Sequence, residues 1–110
     1  MRYIPREMLI HSAELRSPLS EDSFGNVIWS EAVKLEFIRI DEENKVGFSG
    51  MNKPDSGSAL LIYDCRNSRP RNLEFAPGQQ ISFGGKDYTI SAVRRLYGKN
   101  RLHHIEAELI

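Results

Sequence analysis

Apolar and polar residues alternate along most of this chain with a period of two. Val33, Leu35 and Phe37 share one parity and Lys34 and Glu36 the other, the pattern of a half-buried strand. Ile38 and Ile40 then take over the apolar role, with Arg39 opposite. That parity flip means either that both faces are partly covered there or that a β-bulge switches them. Glu7 to Leu15 places Leu9 and Ala13 on one side, Met8 and Ile10 on the other. Ala59 to Tyr63 is apolar on both parities, which suggests a central strand. Ile81 and Phe83 point inward from Gln79 to Phe83. Tyr88, Ile90 and Ala92 oppose Thr89, Ser91 and Val93 in Lys86 to Leu96. In the last strand Ile105, Ala107 and Leu109 face in, and His104, Glu106 and Glu108 face out.

Turns punctuate these runs. Pro77-Gly78 precedes one strand and Tyr97-Gly98-Lys99-Asn100 reverses the chain before the last. Gly84-Gly85 makes a tight hairpin, with positive φ accessible at both positions. Helix signals are weak throughout; a short helix is compatible with the pattern but not required. The expected fold is all-β: a small antiparallel β-barrel or sandwich of about six strands, one domain over residues 1–110. One segment does not fit the core. Asp41 to Ser58 is polar and rich in Gly and Ser, with Val46, Phe48 and Met51 as its apolar residues. A long loop of this kind is usually functional or disordered, and a mobile, protruding loop is expected here.

Composition narrows the function classes. The formal net charge is zero, so nucleic-acid contact would have to come from local patches rather than global attraction. The single cysteine, Cys65, forbids an internal disulfide and fits a reducing compartment. Met1 to Arg6 carries no apolar segment after its charge, so no secretory leader is expected, and no run approaches membrane-spanning length.

Catalytic chemistry finds little support. His103 and His104 are adjacent, and neighbours on a regular strand point to opposite faces, so they should not share one metal ion. His103 shares parity with Ile105, Ala107 and Leu109 and reads as a core-edge histidine. No zinc spacing exists. Cys65 ends an apolar run without a nucleophile signature around it. Glu106 and Glu108 read as solvated edge charges. No catalytic, cofactor or metal site is expected.

Binding surfaces are better marked. Arg66, Arg69 and Arg71 crowd the turn after Ala59 to Tyr63, together with Asn67 and Pro70. Guanidinium forks suit carboxylates and phosphates, so Arg66, Asn67, Arg69 and Arg71 are candidate partner contacts. A second turn, Ser20 to Asn26, is acidic, reverses at Gly25-Asn26 and leads into Val27, Ile28 and the only tryptophan, Trp29. Asp22 and Asn26 are candidates there. Arg94, Arg95, Lys99 and Arg101 surround the last hairpin beside Tyr97, which keeps a small nucleic-acid-binding β-barrel as the alternative.

The chain resembles the minor capsid protein family of tailed phages and defective prophages of Gram-positive bacteria. The resemblance runs through Ile4-Pro5-Arg6-Glu7-Met8-Leu9-Ile10-His11, Asp22-Ser23-Phe24-Gly25-Asn26 and Tyr63-Asp64-Cys65-Arg66-Asn67-Ser68-Arg69-Pro70. It ends with Phe83 to Ile90 and Leu102 to Glu106. The Asp-Cys-Arg-Asn-Ser-Arg-Pro run is the most specific of these. The Asp-x-x-Gly-Asn turn followed by an apolar strand and Trp29 is similar to head-closure proteins. The resemblance implies a structural, non-enzymatic virion component at the head–tail neck, present in the host cytoplasm during assembly. It implies a ring below the portal and its adaptor, tail-side neighbours, and contact with packaged DNA. By the same analogy Asp41 to Ser58 is the candidate loop that gates the DNA channel, with Lys45, Phe48, Met51 and Lys53 as its candidate channel residues.

Overall fold

Eight strands form among the described residues, and six of them close into an antiparallel barrel. The computed structural model describes residues 4–42 and 58–110. A 3-10 turn at Arg6–Met8 leads into β1 (His11–Arg16), β2 (Pro18–Glu21), β3 (Val27–Trp29) and β4 (Val33–Asp41). After them come β5 (Ala59–Asp64), β6 (Gln80–Phe83), β7 (Lys86–Gly98) and β8 (Arg101–Leu109). Around the barrel the order is β1-β4-β5-β8-β7-β6, and β6 pairs back onto β1. β2 and β3 form a separate two-stranded hairpin. The body of the expected channel loop, with Lys45, Phe48, Met51 and Lys53, lies outside the described residues.

The antiparallel order sorts the connections by end. The β2–β3 hairpin, the β5–β6 connection and the β7–β8 turn all leave from the end where Leu15 pairs with Val33 and Arg16 with Gln80. β5 and β6 stand on opposite sides of the ring, so residues 65–79 must cross the mouth of the barrel. Phe75 on this crossing is 1 % exposed and joins the core. Its ring meets Tyr63 edge-on at 5.3 Å. An aromatic plug closes that end of the apolar interior, a burial that strand periodicity did not signal.

Three bulges set which side chains face inward. Ala13 pairs with Leu35 but His11 with Ile38, so β4 carries an extra residue opposite β1. Phe37 sits there with φ of 55°. Leu35, Ile38 and Ile40 are therefore all buried although their parities differ; the bulge, not double-sided burial, explains the flip. β7 carries an extra residue at Ser91, between Ile90↔Leu109 and Ala92↔Glu108. Beyond it Val93, not Ala92, lies opposite inward-facing Ala107 and packs on the core, which corrects the expected alternation. The third bulge lies on β8, between Leu96↔His104 and Tyr97↔Leu102, and its extra residue is His103.

Two further expectations change. The stretch from Glu7 to Ile10 is not strand: Pro5 starts a 3-10 turn, in which Met8 donates to the Pro5 carbonyl and Leu9 to that of Arg6. Glu108 is buried at 6 % exposure rather than solvated. The Gly84-Gly85 turn behaves as expected, with φ of 59° and 80°.

Candidate interface at one end of the barrel

The arginine-rich turn is built around a buried carboxylate. Asp64 ends β5 with no solvent exposure. Its side chain accepts from the backbone N–H groups of Ile4 (2.8 Å), Arg66 (2.9 Å) and Asn67 (3.0 Å). Buried carboxylates persist when such donors surround them. Ser68, also fully buried, accepts from the Asp64 N–H at 2.8 Å and donates to the Phe37 carbonyl at 2.5 Å. Asn67 donates its amide to the Ile4 carbonyl at 2.9 Å. This knot ties Ile4, the β4 bulge and the β5 end together. The Glu36–Arg69 backbone pair adds a short ladder across the bulge, and the Tyr63 hydroxyl donates to the Pro70 carbonyl.

The knot assigns different work to the four candidate residues. Asn67 holds Ile4. Arg69 turns back on its own loop, donating to the carbonyls of Arg66 (3.0 Å) and Ser68 (2.9 Å). Arg66 and Arg71 are exposed and line a cleft of ≈ 450 Å³ together with Cys65, Arg101 and Leu102. An adjoining pocket of ≈ 200 Å³ continues it through Tyr63, Asn72, Leu73 and Ile105. The result is a cleft of mixed polar and apolar lining, with arginines contributed by two elements. Arg101 was grouped in sequence with the β7–β8 turn; closure of β8 against β5 brings it to Arg66 and Arg71.

The β2–β3 hairpin is the second feature of this end. Asp22 organises its turn by accepting from the N–H groups of Phe24 (2.8 Å) and Asn26 (2.9 Å) and from the Asn26 amide (3.3 Å). The Asn26 and Phe24 backbone donors hold its carboxyl below the usual carboxylate range. Gly25 takes φ of 82°. Asp22 and Asn26 thus shape a turn that displays Phe24, 88 % exposed, beside Leu19, Val27 and Ile28, all exposed. Trp29 is half-buried opposite Pro18 at the hairpin base.

The other candidate chemistry resolves structurally. Burial, with the Asp64 carboxylate beside it, pushes the Cys65 thiol up, the opposite of an activated nucleophile. His103 and His104 approach closely, with Nδ1 atoms 2.9 Å apart. The bulge at His103 breaks the alternation that would have separated them. Among the described residues, no group of three His, Cys, Asp or Glu is placed to hold a metal ion. At the β7–β8 turn Arg94 pairs with Glu106 at 2.6 Å, and Arg95 donates to the Phe75 carbonyl at 2.9 Å.

A family model described as minor capsid protein matches residues 5–109. The chain belongs to that family. The match takes in the whole barrel, the hairpin and all of the Asp64 knot but Ile4. Membership in the minor capsid protein family assigns the chain a structural role in a phage particle and places it in the virion. No curated protein matches the chain.

Proposed function

We propose that this minor capsid family member is a non-enzymatic subunit of the head–tail neck, assembling as a ring below the portal and its adaptor and meeting tail-side proteins on its other side. The observation that carries this reading is the grouping of binding features at one barrel end: the arginine-rimmed cleft and the apolar hairpin. A closed barrel is a rigid platform without open barrel edges, suited to presenting such contacts. Many weak contacts repeated around a ring add to a firm attachment.

The grouping favours protein contact over nucleic-acid binding. Half of the basic cluster at the last hairpin is engaged on its own barrel, Arg94 with Glu106 and Arg95 with the crossing segment. The test is to delete the gene and to probe the purified protein. Filled heads without attached tails, and capture of the full chain by portal–adaptor assemblies, are the expected results. Tight binding of free DNA with a steep salt dependence, and no retention on portal–adaptor assemblies, would overturn the reading.

A further inference from the structure

The β2–β3 hairpin and the arginine-rimmed cleft are complementary. Between Arg16 and Lys34 the chain has no lysine or arginine but carries Glu21, Asp22 and Glu31. From Cys65 to Leu73 it has no acidic residue but carries Arg66, Arg69 and Arg71, and Arg101 joins them at the cleft. Shape agrees with charge. Phe24 stands out from the tip at 88 % exposure. The inner end of the cleft, ≈ 200 Å³, sets the side chains of Tyr63, Leu73, Leu102 and Ile105 against the polar Arg71 and Asn72. A lone two-stranded hairpin is marginal in water, so an arm with Leu19, Val27 and Ile28 exposed gains from being covered.

We propose that the hairpin of one copy docks in the Cys65–Arg71–Arg101 cleft of the next, with Phe24 against Tyr63, Leu73 and Leu102 and Glu21 and Glu31 facing the arginines. Donor and acceptor surfaces differ, so the contact is heterologous and repeats from copy to copy. It rests on the repeated-subunit reading above and names the two surfaces that mate.

Native Cys65, the chain's only cysteine, lines the cleft and provides the test. Ser23→Cys adds a thiol beside Phe24 at the exposed tip. A short bis-maleimide is applied to the folded, full-length S23C protein at ~1 mM, where weak contacts populate. A ladder of covalent dimers, trimers and larger species is expected. The ladder should vanish in S23C/C65S and fall about tenfold when E21K/E31K reverses the hairpin charge. Mixing E21K/E31K/S23C/C65S with R71E/R101E should restore a dimer, linked between the hairpin-tip thiol of the first chain and Cys65 of the second. Labelling of Cys65 by a mono-maleimide establishes beforehand that the thiol is reachable. Monomers only, links within one chain, or equal dimers from S23C/C65S would overturn the proposal. Particles that still carry charge-reversed E21K/E31K at wild-type copy number would sink this contact and leave the neck reading intact. Absence of the wild-type protein from particles would sink the neck reading instead.

Discussion

Replacing Asp64 with alanine tests whether the shape of the arginine turn depends on one carboxylate, or whether the turn is merely a solvated loop. The side chain has no exposure and accepts three backbone hydrogen bonds, from Ile4, Arg66 and Asn67. Bonds to a charged acceptor contribute about 1.5–3 kcal/mol each. Part of that is recovered when the Arg66 and Asn67 N–H groups find water, and part when the cost of burying the carboxylate disappears. The balance is a loss of about 4 kcal/mol, near the top of single-substitution effects. For a domain of this size that lowers Tm by roughly 15–20 °C. Asp64→Asn keeps one acceptor oxygen but turns an N–H donor toward a backbone N–H, so it should cost about 2 kcal/mol. The assay is urea unfolding followed by Trp29 fluorescence and far-UV circular dichroism, with the slope checked for constancy. Ser68→Ala completes a double-mutant cycle. Because both side chains fix the same turn, Asp64 through the Arg66 and Asn67 N–H groups and Ser68 through the Asp64 N–H and the Phe37 carbonyl, coupling above about 0.5 kcal/mol is expected. A loss below about 1 kcal/mol for Asp64→Ala, or strict additivity with Ser68→Ala, would refute the reasoning.

Other expectations follow from the same structure. Phe75→Ala should cost about 3–5 kcal/mol in denaturant unfolding, because it empties the plugged mouth of the barrel; a near-neutral result would mean the crossing segment does not seal the core. Arg71→Ala with Arg101→Ala should leave Tm nearly unchanged, within about 0.5 kcal/mol, while lowering the amount of protein in purified particles. Gly85→Ala should cost about 1 kcal/mol although no atom lies within 4 Å of the added Cβ, because φ of 80° strains any L side chain. Burial lowers the pKa of His104; Glu106 and Asp64 oppose this, and His103 and Arg94 add to it. The unfolded chain therefore binds that proton first, so stability attributable to His104 falls as pH drops below about 6.5. His104→Gln should flatten that part of the stability–pH curve, and a wild-type curve rising toward acid relative to the variant would reverse the sign.

The candidate site was half legible in the sequence. Arginine density marked the turn at Arg66, Asn67, Arg69 and Arg71, and the Asp22 to Asn26 spacing marked the hairpin. Density could not divide the labour among them. Arg69 faces its own carbonyls because Ser68 is pulled inward by Asp64 and Phe37, and no local pattern reports that pull. Arg101 joins the cleft only because β8 pairs with β5 across a long stretch of chain. Phe75 stands in a largely polar stretch with Leu73 and Ala76 near it and no strand period; it is buried because the connection from β5 to β6 has to cross the barrel mouth.

Periodicity by itself determined that the chain is all-β, that Ile81, Ile105, Ala107 and Leu109 face its interior, and that Gly84-Gly85 reverses it. These are local properties: side-chain parity and allowed φ are set within a few residues. Tertiary structure alone decided the closure of β6 onto β1, the choice of a bulge at Phe37, Ser91 and His103, and the burial of Glu108. Each of these depends on which strand lies alongside. One extra residue in a ladder swaps the two faces of every residue beyond it, so inward and outward become defined only once the partner strand is in place.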